Sequence, residues 1–174
     1  MPGRVVWLRG RLARYRVHLG FLCGALAYVW ARPTTTSMVV GALVALAGES
    51  VRVWASGHIE KGREVTRSGP YRLMRHPLYF GSTVMGAGFA VAAARVPSAL
   101  VVAAYLCVTY IAAMRNEEVE LARKFGREYA AYREGRSAPV DRAFSFARVI
   151  ANREYRAVVG LVVVMALLWM RMRF

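Results

Sequence analysis

The chain has 174 residues, 57% of them hydrophobic, and its 25 Lys+Arg against 10 Asp+Glu leave a net charge of +15. That length suits one domain, and a mean hydropathy of +0.32 is too apolar for a soluble domain of this size. Composition therefore indicates an integral membrane protein. In a soluble protein such a basic balance would suggest nucleic acid. Here the arginines lie between apolar runs, as loops facing anionic lipid do, and no nucleic-acid fold signature is present, so no nucleic-acid partner is expected.

The N-terminus resembles a signal peptide, with basic residues ahead of LGFLCGALAYVWA. So many apolar runs follow that a retained signal anchor is the better reading. Five apolar segments are predicted as spans, at about 17–32, 36–56, 79–94, 97–114 and 157–170. A helix needs about 20 residues to cross the hydrocarbon core. The second and fourth meet that. The third is shorter, and the fifth either spans, with its arginines snorkelling, or lies in the interface. The expected fold is an all-α polytopic bundle of about five transmembrane helices, because irregular backbone cannot face lipid. Cys23 and Cys107 both fall inside apolar runs and read as small buried hydrophobes. No cysteine or histidine cluster suggests a metal.

Arginine placement sets the expected topology. Cations crowd the N-terminus, the 57–78 loop and residues 115–156, whereas RPTTTS and RVPS carry one arginine each. The positive-inside rule then puts the N-terminus and both basic segments in the cytoplasm. Arg171 and Arg173 are left on the far side, a mild conflict. The third and fourth spans form a hairpin turning at Arg95-Val96-Pro97. Its two polar ends, SGPYRLMRHP and MRNEEVELARKFGREYAAY, must return close together at one membrane surface.

Those ends carry the candidate chemistry. Gly69-Pro70 signals a turn. Pro77 biases His76 away from helix and suits a first helical turn. Arg75 and His76 thus precede a helix N-terminus, where free N–H groups favour a carboxylate or phosphate. A positive-inside anchor with a helix-start proline accounts for the same three residues equally well. Glu117 and Glu118 are adjacent carboxylates. Helical spacing puts Glu117 with Leu121, and Glu118 about 100° round. The bland alternative is a solvated amphipathic helix with pairs such as Glu120–Lys124. Gly126 suggests a helix break followed by Tyr129 and Tyr132 on one face. Glu49 and Arg52 lie three apart in the second span and form either a functional intramembrane pair or a structural one.

GPYRLMRHPLYFG, an apolar hairpin and then RNEEVELARKFGREYAAY resemble the isoprenylcysteine carboxyl methyltransferase family. Its pattern is GxYxxxRHPxY, then EE, then FGxEYxxY. Arg52 to Ala55 resembles the stretch on its preceding helix, which with Glu49 and Trp54 makes Glu49, Arg52 and Trp54 candidate substrate contacts. The likeness covers about residues 50–140 and is shared in part by membrane methyltransferases that act on phospholipids. It implies S-adenosylmethionine as methyl donor, a cofactor pocket open to the cytoplasm, and a lipophilic or prenylated substrate entering from the bilayer. By this resemblance Tyr71, His76, Pro77, Tyr79, Glu117 and Tyr129 belong to the cofactor pocket, and Arg75 and Glu118 face the reacting centre. Which glutamate does which job stays open. Three parts follow: membrane helices over 1–56, a methyltransferase core over 57–142, and an amphipathic segment with a last membrane helix over 143–174. The basic stretch 137–156 departs from the family pattern and is a surface helix, a lid or an oligomer contact. The leading expectation is methyl-ester formation on a lipophilic acid. The alternatives are O-methylation of a phenolic lipid, N-methylation of a phospholipid head group, and a non-enzymatic scaffold or transporter subunit.

Overall fold

The computed structural model describes residues 18–173. It is all-helical: α1 (His18–Trp30), α2 (Thr35–Ser56), α3 (Pro77–Ala93), α4 (Val96–Arg133), α5 (Phe146–Ala151) and α6 (Tyr155–Arg173), with a 3₁₀ turn at Gly69–Arg72. Three of these, α2, α4 and α6, are long and apolar enough to cross a membrane; α1 and α3 are shorter apolar helices. The predicted spans all fall on helices. α6 settles the fifth as a long apolar helix. The arginines expected ahead of the first span, and the signal-like residues before His18, lie outside the described residues.

Large apolar side chains point outward along these helices, among them Leu43, Leu100 and Val162, each more than half exposed. A monomeric soluble protein would not show so much apolar surface; lipid accounts for it. The interior is built instead from small residues. On α2, Gly41, Ala45 and Gly48 face Gly81, Gly88 and Ala92 of α3. A Cβ added at Gly48 would lie 2.5 Å from the Met85 nitrogen, and one at Gly88 would lie 2.5 Å from the Ala45 nitrogen. The two backbones therefore touch. Lipid offers no hydrophobic drive for helix pairing, so this close van der Waals approach is what joins them.

Hydrogen bonds fix the ends opposite the basic loops. Thr34 caps α2 in a reciprocal box with Ser37 (Ser37 N to Thr34 Oγ1, 3.1 Å). Ser98 Oγ donates to the Ala27 carbonyl at 2.7 Å, tying α4 to α1. Arg171, the residue at odds with the expected topology, has a local partner. It donates to the Val29 carbonyl at 3.2 Å and lies over the Tyr28 ring, so it serves as a cap for α1. Arg173 lies over Trp169.

α4 is longer than its predicted span, running on past the apolar stretch into the polar segment. It breaks at Gly126, with φ 45 and ψ −113, a conformation reserved for glycine. The break anticipated at Gly126 is present.

Gly48→Leu would push a branched side chain into the α3 backbone. We expect it to lower thermal stability by about 1–3 kcal/mol or prevent folding. Gly24→Leu, where a Cβ meets nothing within 4 Å, should be neutral. Melting of both variants in detergent tests this; equal behaviour would refute the packing argument.

Candidate active site

The loop after α2 is held by its own imidazole. His58 is buried, and its Nδ1 lies 3.3 Å from Ser68 Oγ. Gly69 packs on the same ring: a Cβ there would come within 2.5 Å of it, and its φ of +53 independently favours glycine. The following 3₁₀ turn buries Pro70 and Tyr71. Burial, then the charge of Glu117, raises the Tyr71 hydroxyl well above its ordinary pKa, so it stays protonated. After the Gly126 break, Tyr132 returns to this turn and donates to the Tyr71 carbonyl at 2.8 Å.

His76 is the N-cap residue of α3 and Pro77 its first residue, as the sequence predicts. The two glutamates separate as helical spacing requires. Glu118 turns to the mouth, where one oxygen, Oε1, receives Arg75 Nη1 at 2.9 Å and lies 3.1 Å from His76 Nε2. Arg75 also faces the Tyr129 hydroxyl without a well-formed hydrogen bond to it. Glu117 turns the other way, with Leu121, into a cavity. Among the described residues no cation pairs with it. Glu120 and Lys124 line the same cavity and form no ion pair with each other.

This cavity holds about 890 Å³. Tyr71, Arg75, His76, Pro77 and Tyr79 form one wall with the start of α3. Tyr105, Thr109, Tyr110 and Ala113 form another, from within the apolar stretch of α4. The volume falls within the roughly 300–1,000 Å³ of small-molecule sites. Of the predicted site residues, Glu118 and Tyr129 stand behind the wall rather than in it. Arg52 lines the cavity; Glu49 and Trp54 do not.

Arg52 leads to a residue that the sequence did not mark. Its Nε and Nη2 both lie 2.7 Å from Glu154 Oε1, while Glu49 stands off at 3.7 Å. Arg52 also donates to Ser82 Oγ and, at 3.4 Å, to the Leu78 carbonyl. Glu154 is buried and lines the cavity at the start of α6. It lies 102 residues from its partner, so no local spacing could reveal the pair. The basic stretch 137–156 also has a defined role. Arg148 donates to the Gly57 carbonyl at 2.7 Å, Arg142 to that of His58 at 3.2 Å, and Asn152 to those of Ser56 and Ile59. These groups satisfy the carbonyls left open where α2 ends.

A bundle of apolar helices with a charged, apolar-walled cavity at its polar end suits a membrane enzyme acting on lipid-like molecules. Residues 36–128, just over half the chain, match the phospholipid methyltransferase family, and the chain belongs to it. That is a family of membrane S-adenosylmethionine-dependent methyltransferases, related to the isoprenylcysteine carboxyl methyltransferases. The protein is thus an enzyme that transfers methyl groups to a lipid-related acceptor. Neither a curated protein nor a solved structure matches the chain.

Burial, then the fields of Arg148, Arg142 and Arg72, lowers the pKa of His58. The unfolded chain takes up a proton near pH 6.5 that the folded chain refuses. Stability from this group is therefore full above pH 6.5 and falls as pH drops from there towards the lowered folded value. Melting temperature followed downward from pH 7.5 should decline more steeply in the parent than in His58→Gln. Parallel curves would show that His58 is not held neutral.

Proposed function

We propose that the enzyme methylates the carboxylate of a lipophilic acid, prenylcysteine-like or another lipid acid, to give a methyl ester. The observation that carries this is the mixed wall of the cavity. It runs from membrane-level tyrosines and alanine on α4 to Arg75, His76 and Glu117 at the polar end, so one space suits an apolar tail and a polar donor. The positive-inside distribution supports a cytoplasmic face for this end and for the N-terminus.

The residues fit the donor. The unpaired Glu117 carboxylate suits its ammonium, and the start of α3, with His76 and free N–H groups, suits its carboxylate. Tyr71, Pro77 and Tyr79 pack around it, and Tyr129 supports Arg75 from behind. When bound, S-adenosylmethionine would supply an electrophilic methyl on its sulfonium, which the acceptor oxygen would take while the C–S electron pair stays with the sulfur as a neutral thioether. The protein's part is alignment of that in-line displacement and exclusion of water. Arg75, anchored by Glu118, sits where it can orient an acidic group, with Arg52 at the substrate end. Arg153 and Arg156 also line the cavity, with no carboxylate in ion-pair reach among the described residues.

Catalytic need favours the acid. A carboxylate is already ionised at pH 7 and requires no base. Tyr71 is held protonated and so is no base, and His76 Nε2 already meets Glu118 at 3.1 Å. Methylation of a phospholipid amine is the second reading, favoured by the name of the matched family. It needs a base to take the amine proton, and Glu117 is the group placed for it.

Two measurements decide. Methyl-labelled S-adenosylmethionine is incubated with the purified enzyme and host lipid extract, and the lipid fraction is then treated with mild base. Release of label as methanol is expected; label resistant to base means an N-methyl or ether product and overturns the ester. Arg75→Ala and the pair Glu117→Gln, Glu118→Gln should each lower incorporation by about 10²-fold or more, in folded protein. Full activity in these variants would place the chemistry elsewhere.

A further inference from the structure

We propose that a second hollow, beside the active cavity, binds the phosphate of an anionic lipid head group. This hollow holds about 440 Å³ and is lined by Lys61, Arg63, Arg148 and Arg153, with Glu60 its one carboxylate. Arg148 is committed: it donates to the Gly57 and Ala143 carbonyls and comes within 3.9 Å of Glu60. Lys61, Arg63 and Arg153 have no carboxylate in ion-pair reach among the described residues. Elsewhere at this end several cations are committed to carboxylates. Arg67 pairs with Glu128, Arg72 with Asp141, Arg75 with Glu118, and Arg142 with Glu64. Arg115, Arg123, Arg127 and Arg133 are also without a carboxylate, but they line no cavity. Lys61, Arg63 and Arg153 share this concave surface; Lys61 and Arg153 also line the active cavity, where Lys124 and Arg156 are likewise without a carboxylate among the described residues, whereas Arg63 lines this hollow and not that cavity.

The backbone supports a binding role for Arg153. It sits at φ +58, a left-handed conformation that non-glycine residues seldom adopt. The turn is held there because Asn152 Nδ2 bonds the Ser56 and Ile59 carbonyls at 2.9 and 3.1 Å. Arg153 is thereby fixed between the two spaces, and it lines both, as do Lys61 and Glu60.

The neighbours identify a lipid as the source of the phosphate. Arg148 and Ala151 of α5 face the hollow, while Phe146 and Ile150 of the same helix are 71% and 67% exposed. Cations beside bare apolar side chains on one short helix match a head group with an acyl chain running past it. A soluble phosphate would use the cations alone.

The test is binding of acyl-labelled phosphatidylglycerol to the purified full chain in a neutral detergent, with no methyl donor present. Arg63 lines this hollow and not the active cavity, so its loss reads this site apart from acceptor binding in the cavity. Arg63→Gln should weaken binding by about tenfold, and Arg63→Gln with Arg153→Gln by about a hundredfold, since each lost charge-assisted bond is worth roughly a factor of ten. Arg123→Gln with Arg127→Gln removes the same charge from exposed positions of α4 and should leave binding unchanged. Inorganic phosphate at millimolar concentration should not displace the lipid. Equal weakening by both pairs would reduce the site to general surface charge and overturn the proposal. Full displacement by inorganic phosphate would overturn the lipid assignment in favour of a soluble anion.

Discussion

The rest of the structure depends on the backbone contact between α2 and α3. Glycine and alanine at Gly41, Ala45, Gly48, Gly81 and Gly88 let the helices meet without intervening side chains. In lipid such an approach is held by dispersion alone, so it tolerates no misfit. Its position along the helices matters as much as its existence. It brings Arg52, one turn beyond Gly48, against Ser82 and the Leu78 carbonyl in the first turns of α3. The start of α3 is therefore fixed relative to α2, and with it the mouth that Arg75, His76 and Pro77 form.

Arginine does two jobs at that end, and pairing separates them. Arg142 and Arg148 satisfy carbonyls at the end of α2, while Arg67 and Arg72 hold the loop through carboxylates. These are structural uses, satisfying polar groups near a low-dielectric boundary where an orphan is expensive. Arg52 and Arg75 differ. Each is bound to a carboxylate, Glu154 or Glu118, yet each also borders the cavity. A guanidinium anchored from behind keeps its geometry for a ligand in front. That arrangement favours alignment, which is the main thing a methyl transfer asks of a protein.

Much of this was legible from sequence, where the signal is local. Hydropathy located the helices, the Gly126 break followed from one residue in a periodic stretch, and the divergence of Glu117 and Glu118 followed from 3.6 residues per turn. The hairpin logic brought RHP to the glutamate pair because two adjacent spans must return to one surface. Three things were not legible. The glycine stripe is nearly silent in a hydropathy scan, since glycine is neither apolar nor charged. Glu154 finds Arg52 through tertiary packing. The basic stretch 137–156 offered three roles because its partners are backbone carbonyls, which carry no residue code. Arg171, read as a topology conflict, is explained by a cap on α1.

The family match ends at residue 128, but the cavity does not. Tyr132, Arg153, Glu154 and Arg156 complete it, and Glu154 is the direct partner of Arg52 inside the matched stretch. The shared stretch contains the start of α3, His76 and the unpaired Glu117. The segment beyond it adds Arg153, Glu154 and Arg156 to the cavity wall. A donor is common to every member of such a family, whereas an acceptor need not be. The cavity wall mixes the two stretches, since Arg52 and Tyr105 and Tyr110 of α4 lie within the match and Glu154 and Arg156 beyond it, so the match speaks for a shared donor while the acceptor has to be argued from the wall as a whole.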